Sequence, residues 1–226
     1  MNNLNKEHCI DLSDCNFLFL FGPPGSGKNR VTKLIQKLGI DLDHISIGDL
    51  LREAAEQDNE RARFIRDYQK IGETVPLPIV VSELSKRITI CDKRLIVLDG
   101  FPRTLEQAMY LTESGYVSLD TSRIFGIHIP KDLETCWNNI ESANSKKEED
   151  DSNFSRGSRT DDNYKTVKHR HSKHFTEAVP ALNQMVRFGM PLYDTGSATD
   201  TDPLIPDIIR YFGLKRFQKN ECATNS

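Results

Sequence analysis

The sequence predicts an α/β fold, a doubly wound parallel five-stranded sheet, and three observations carry that prediction. Short apolar runs recur along the 226 residues. Helical stretches separate them. The first run closes in a glycine-rich turn that leads into a helix. Strands that alternate with helices form a parallel sheet covered on both faces.

The first run, Phe17-Leu18-Phe19-Leu20-Phe21, is short and rich in aromatics, and it ends at Gly22-Pro23-Pro24-Gly25. It reads as a strand buried on both faces. Val31, Leu34, Ile35 and Leu38 then repeat at helical spacing up to Gly39, a suitable C-terminal stop. Further strands are expected at Ile45-Ser46-Ile47, Leu95-Ile96-Val97-Leu98, Ile124 to Ile129 and Pro191-Leu192-Tyr193. Between them, Asp49 to Gln57, Pro78 to Ile88 and the long polar stretch from about Asp161 to Phe188 read as helices. Glu141 to Ser155 has almost no apolar residues and is expected to be a disordered acidic insertion.

The expected organisation is a flexible N-terminal extension at 1–15, one domain at 16–214 and a flexible tail at 215–226. An apolar content of 37%, a charged content of 28% and a formal charge of -3 are those of an ordinary soluble domain. They provide no global attraction to nucleic acid or to anionic lipid. Cys9, Cys15, Cys91, Cys136 and Cys222 are scattered and odd in number, without CxxC spacing. That excludes a disulfide framework and a zinc cluster from the reading. No run approaches a membrane span, and the start MNNLNKEHCI lacks a secretory apolar core. A cytoplasmic monomer is the expectation.

Gly22-Pro23-Pro24-Gly25-Ser26-Gly27-Lys28 satisfies GxxxxGK between a strand and a helix. Glycines let the backbone curl so that successive N–H groups point inward, and the helix N-terminus adds positive potential for phosphate. Lys28 is placed to meet the β- and γ-phosphates. The motif ordinarily continues with a Ser or Thr that holds magnesium, but Asn29 and Arg30 follow here, and the next hydroxyl is Thr32. An amide is a poorer magnesium ligand than a hydroxyl. For Arg30 two readings stand, a phosphate contact or a solvent-facing charge.

Four further segments resemble the adenylate kinase family of nucleoside monophosphate kinases. They are His44 to Arg52, Gly72-Glu73-Thr74-Val75-Pro76, Asp99-Gly100-Phe101-Pro102-Arg103-Thr104-Leu105-Glu106-Gln107, and Arg159-Thr160-Asp161-Asp162-Asn163 followed by Arg170. The resemblance runs from about Phe17 to Phe212 in family order. It implies a P-loop kinase with a helical acceptor-binding region at about 46–76 and a lid at about 131–170. It implies transfer from ATP, with Mg²⁺, to AMP, giving ADP. Such transfer between polyanions depends on positive charge and in-line positioning.

By that resemblance, residues 22 to 30 contact ATP, and Lys28, Arg159 and Arg170 stabilise the transferring group. Arg52 and Arg103 hold the acceptor phosphate, Ile47, Glu73, Val75 and Gly100 border the acceptor, and Gln107 reads its base. Asp99 organises magnesium through water, with no direct protein ligand. Arginine suits these positions because its planar fork donates two parallel hydrogen bonds and keeps its charge.

The chain departs from the family at four places. Asn29 and Arg30 replace Gly and Thr, Ile47 replaces a threonine, and Leu133 to Ser142 lacks the two arginines of the helix entering the lid. Trp137 either stacks on the donor adenine or packs as core, and Arg156 is a candidate substitute for a lost phosphate contact. The basic cluster from Lys165 to His174 reads as a solvated helix carrying one functional arginine, because no aromatic platform accompanies it. Three functions remain open: an adenylate kinase-like enzyme, a kinase for another monophosphate, and a nucleotide-binding pseudokinase without turnover.

Overall fold

The computed structural model describes residues 15–89, 95–114, 119–145, 163–196 and 205–213. Five strands form one sheet in the order β2-β3-β1-β4-β5, every neighbouring pair parallel. They are β1 (Asn16–Phe21), β2 (Leu42–Ser46), β3 (Leu95–Asp99), β4 (Ile124–His128) and β5 (Leu192–Asp194). The central strand β1 pairs on both sides, with Phe17 opposite Ile96 and Ile124, and its apolar run follows from that position. Phe17, Phe19 and Phe21 pack with Ile96 and Leu98 on one face, while Leu18 and Leu20 pack with Leu95, Val97 and Ile127 on the other. Both faces are therefore core, as a parallel sheet requires.

Helices α1 (Lys28–Lys37), α2 (Ile47–Ala55), α3 (Glu60–Ile71), α4 (Leu77–Thr89) and α5 (Leu105–Glu113) occupy the first half. Short polar side chains start α2, α3 and α5. Ser46 Oγ accepts the Asp49 N–H at 3.3 Å and Asn59 Oδ1 accepts the Ala62 N–H at 2.8 Å, each satisfying an orphan donor of the first turn. Helix α3 ends at Gly72, whose φ of 77° a side chain rarely adopts.

The second half holds α6 (Leu133–Ser145), α7 (Tyr164–Lys173), α8 (Val179–Phe188) and α9 (Ile205–Tyr211). A π-helical segment, His174–Ala178, joins α7 to α8. Pro180 follows it in the first turn of α8, and its ring rejects an ordinary helical bond to the preceding turn. The wider π spacing just before a proline accommodates that loss and turns His174 and Ala178 inward.

The architecture is the expected doubly wound sheet, with corrections in detail. Ile47 is the first residue of α2 rather than the end of a strand, because Ser46 caps the helix there. Residues 141 to 145, expected in the disordered insertion, complete α6, whose buried side is anchored by Cys136 and Ile140. Residues 146 to 155 lie outside the described residues, as do the extension at 1–14, the tail at 214–226, and Arg156, Arg159, Asp161 and Asp162. The long helix begins at Tyr164, where Asn163 Oδ1 accepts the Thr166 N–H at 3.0 Å, and not at Asp161. Among the described residues, no helix is long and apolar enough to cross a membrane.

Candidate active site

All five strands deliver their C-terminal ends to one side of the sheet, where open α/β sheets bind ligands. A cavity of about 1090 Å³ opens there. Gly22 to Lys28 enter it after β1, Ser46 and Ile47 after β2, Asp99 and Gly100 from β3, and Ile129 after β4.

The phosphate loop forms one wall. Gly25 has φ 82° and a Cβ there would lie 2.2 Å from the Cys136 carbonyl oxygen, so only glycine lets the loop meet α6. Gly27 has φ 99° at the cap of α1. Lys28 Nζ donates to the carbonyls of Gly22 at 2.8 Å and Pro23 at 3.1 Å, and it lies 3.7 Å from Asp99 Oδ1. Lysine and aspartate are thus held together at the mouth of two adjacent strands. Arg30 is exposed and lines the cavity, as do Lys33 and Lys37 one and two turns further along α1. Thr32 is buried, lies outside the cavity lining, and its Oγ1 has no hydrogen-bond partner. The hydroxyl after Lys28 therefore has no replacement at Thr32.

The acceptor candidates line the cavity as well. Ile47, Arg52, Glu73, Val75, Gly100, Arg103 and Gln107 all line the same cavity. Arg52 pairs with Asp49 one turn away and folds over Gly48, where a Cβ would lie 3.2 Å from its guanidinium. The Arg103 guanidinium covers Gly100 in the same way, at 2.8 Å from a would-be Cβ. Gln107 is buried and its Oε1 accepts the Arg103 N–H at 2.7 Å. Its side chain thereby fixes the turn that carries Arg103.

Another wall comes from α7 and the π segment. Arg170 donates to the Gln69 carbonyl at 3.1 Å, joining α7 to α3. Lys173 Nζ contacts Glu73 at 2.5 Å and Glu177 at 3.0 Å, and His169 meets Glu73 at 3.0 Å. Hydrogen bonds from Lys173 and His169 hold the Glu73 carboxyl below its usual value. Burial alone would lower the Lys173 ammonium, but its hydrogen bonds to Glu73 and Glu177 outweigh burial and hold it above its usual value. The Glu73 side chain thus braces the wall, a role beyond the border position expected for it.

His174 also lines the cavity. Its Nε2 lies 3.0 Å from His128 Nε2, and His128 Nδ1 lies 2.9 Å from Asp194 Oδ2. Both rings are buried. Burial, with the nearby charge of Lys28, pushes His174 down to about 3. The basic stretch 165–174 is therefore not uniformly solvated: Lys165, Lys168 and His169 are exposed, while His174 is core. Helical spacing from Arg170 to His174 and Glu177 was the signal that marked this face.

From α6, Thr135, Asn139 and Ala143 face the cavity at every fourth residue, and Asn139 Nδ2 donates to the Gly25 carbonyl at 2.9 Å. Trp137 instead meets the Tyr164 ring edge-on at 5.3 Å and does not line the cavity. It is half-buried against Tyr164 and belongs to neither core cluster. Arg159 lies outside the described residues, so the structure brings together Lys28, Asp99, Arg103 and Arg170 of the five catalytic candidates.

The donor set fits magnesium that enters with a nucleotide. Asp99 is a carboxylate on the phosphate side of the cavity, and a hard, hydrated cation bound mainly by phosphates and water needs few protein oxygens. Among the described residues, no group of three or more His, Cys, Asp or Glu is placed to hold a metal by itself.

The adenylate kinase family model matches residues 20–188. The adenylate kinase of Thermotoga neapolitana is 30% identical over 219 residues, covering 87% of this chain and 97% of that protein. That of Thermotoga maritima is 26% identical over 217 residues with the same coverage. Human adenylate kinase isoenzyme 5 is 39% identical over 100 residues, 43% of this chain and 17% of that longer protein.

Proposed function

The chain belongs to the adenylate kinase family, and on that premise we propose that it transfers a phosphoryl group reversibly from MgATP to AMP, giving two ADP. The observation that carries the proposal is a single cavity lined by Lys28 together with Arg52, Arg103 and Gln107. Several cationic groups gathered around one space suit a donor and an acceptor phosphate brought together for transfer.

In this reading the loop from Gly22 to Lys28 holds the donor phosphates through backbone N–H groups and the Lys28 ammonium. Asp99 would hold magnesium through water, and magnesium arriving with ATP would supply charge neutralisation on the phosphates. Arg52 leaves Asp49 and grips the acceptor phosphate with Arg103. Arg170 and Arg159 come from the lid side to spread the charge of the transferring group. The Gln107 carbonyl is committed to Arg103, so its amide N–H₂ is the group that meets an adenine nitrogen. Closure of the lid excludes water, which would otherwise take the phosphoryl group. The setting assumed is a cytoplasmic monomer.

Two observations favour a second reading, a nucleotide-binding protein with little turnover. Thr32 is buried away from the cavity, and α6 lines it with Thr135, Asn139 and Ala143 and with no arginine. A coupled assay with AMP, CMP, UMP, GMP and dAMP, run beside ATP-binding calorimetry, separates the readings. ADP formation with AMP alone supports the first. ATP binding without turnover on any acceptor replaces it with the second, and a preference for another monophosphate moves the acceptor assignment.

A further inference from the structure

Asp194, His128 and His174 form a hydrogen-bonded line from a half-exposed carboxylate to the cavity wall, with steps of 2.9 and 3.0 Å. The outer end is well defined. Burial would raise the Asp194 carboxyl, but the His128 ring N–H and the Gly196 N–H that it accepts hold it below its usual value. An ionised Asp194 requires that His128 Nδ1 carry the donating proton. With His128 Nε2 as the acceptor of the Nε2···Nε2 bond, the proton in that bond belongs to His174, and His174 Nδ1 is the ring nitrogen left as an acceptor on this cavity-lining residue. A lone pair suits a cavity in which Lys28 and Arg103 are the near charges, but it repels a phosphate.

We propose that Asp194, His128 and His174 are a proton-uptake chain and that His174 is a further phosphate-positioning residue of this site. The proposal rests on the cavity being the phosphate-transfer site. When a polyphosphate enters, one proton from solvent binds His174 Nδ1, and the proton on His174 Nε2 shifts across the 3.0 Å bond to His128 Nε2. One N–H bond forms at Nδ1, one breaks at His174 Nε2 and one forms at His128 Nε2. His174 remains neutral and has changed from acceptor to donor toward the phosphate.

The groups facing His174 agree with this assignment. Burial opposes a proton on His174 most, followed by the charges of Lys28 from the phosphate loop, His128, His171 and Arg103 from the turn after β3. Of these, bound phosphate acts on Lys28 and Arg103. On its own helix, Lys173 and Glu177 flank it, and each is already tied into the ion cluster around Glu73. The π segment is what aims the ring inward.

The test is calorimetric binding of ATP without added metal at pH 7.5, in buffers of different ionisation enthalpy. The wild type is expected to take up close to one proton more than His174→Gln or His128→Gln, because glutamine keeps a hydrogen bond but cannot gain a proton. Since both rings are buried, Asp194→Asn at the half-exposed end is the variant that preserves the core, and it should lower the uptake as well. Uptake on binding means that the wild-type Kd for ATP rises with pH, by up to about tenfold per unit for one proton. The variants should have a flatter profile. Equal proton uptake in wild type and all three variants overturns the chain. ATP bound by every form with no uptake overturns it while leaving the phosphate-loop reading intact, and no ATP binding by any form removes both.

Discussion

Lys28 Nζ lies 3.7 Å from Asp99 Oδ1 while it also donates to the Gly22 and Pro23 carbonyls. The cation is thereby parked at the end of β1, close to where it would meet phosphate, by contacts that a bound nucleotide can replace. Lys28→Met should leave the melting temperature within a few degrees of wild type, since the side chain serves only this cavity. It should lower kcat by at least about 10²–10³-fold, the usual loss for one preorganised donor. Steady-state kinetics beside a thermal melt checks both, and an active Lys28→Met protein would sink the phosphate-loop assignment.

The arginines of the cavity lead to a separate prediction. Arg52 and Arg103 each cover a glycine, Gly48 and Gly100, and both line the cavity. Alanine at either position should raise KM for AMP by about tenfold or more, as expected for a lost charged hydrogen bond of about 1.5–3 kcal/mol. KM for ATP should change far less. Equal effects on both substrates would place these residues in the donor site.

Much of this was legible in the sequence where one local rule decided the outcome. Phe17 to Phe21 had to be a doubly buried strand, and Gly25 and Lys28 had to lie at the turn from that strand into a helix, because spacing and residue type leave few alternatives. Ile47 was misread because its apolar side chain fits a strand, whereas the deciding contact is the Ser46 cap that starts a helix. Residues 141 to 145 are polar, yet Cys136 and Ile140 anchor the helix that carries them. The pairing of His128 with His174 lies 46 residues apart in sequence and depends on a π segment, so no local pattern announces it. Trp137 had two readings by type, and its edge-on contact with Tyr164 lies outside both core clusters.

Acid stability reports on the same buried ring. His174 has an ordinary value of 6.5 and is pushed down to about 3 in the folded chain by burial and by Lys28. Above pH 6.5 the ring is neutral whether folded or unfolded and adds no slope. Below 6.5 the unfolded chain binds the proton and the folded one does not, so stability falls as pH falls toward 3, by up to about 1.4 kcal/mol per unit for one proton. Burial lowers His44 too, which adds in the same direction. Urea unfolding at pH 7.5, 6.5 and 5.5 should show a falling wild-type stability and a shallower fall in His174→Gln. Parallel slopes in the two proteins would show that His174 is not held neutral.

The last prediction concerns the residues after Lys28. Relatives carry glycine and threonine there, which bring backbone close to phosphate and add a hydroxyl contact, and Thr32 does not take over because it is buried outside the cavity. Arg30, by contrast, lines the cavity together with Lys33 and Lys37, so it adds positive charge along α1. Charge of that kind strengthens binding of ATP in the ground state and in the transition state alike, and uniform binding does not raise kcat. The chain should therefore bind ATP well and turn over slowly. The double change Asn29→Gly with Arg30→Thr should raise kcat with AMP by roughly tenfold, equivalent to ~1.4 kcal/mol recovered only in the transition state, while ATP affinity stays level or falls. Stopped-flow turnover and ATP calorimetry on both proteins decide it. A double mutant as inactive as a parent without measurable turnover would move the block to α6, which lines the cavity with Thr135, Asn139 and Ala143 and with no arginine. A fast parent and a slower double mutant would instead make Asn29 and Arg30 working parts of the site.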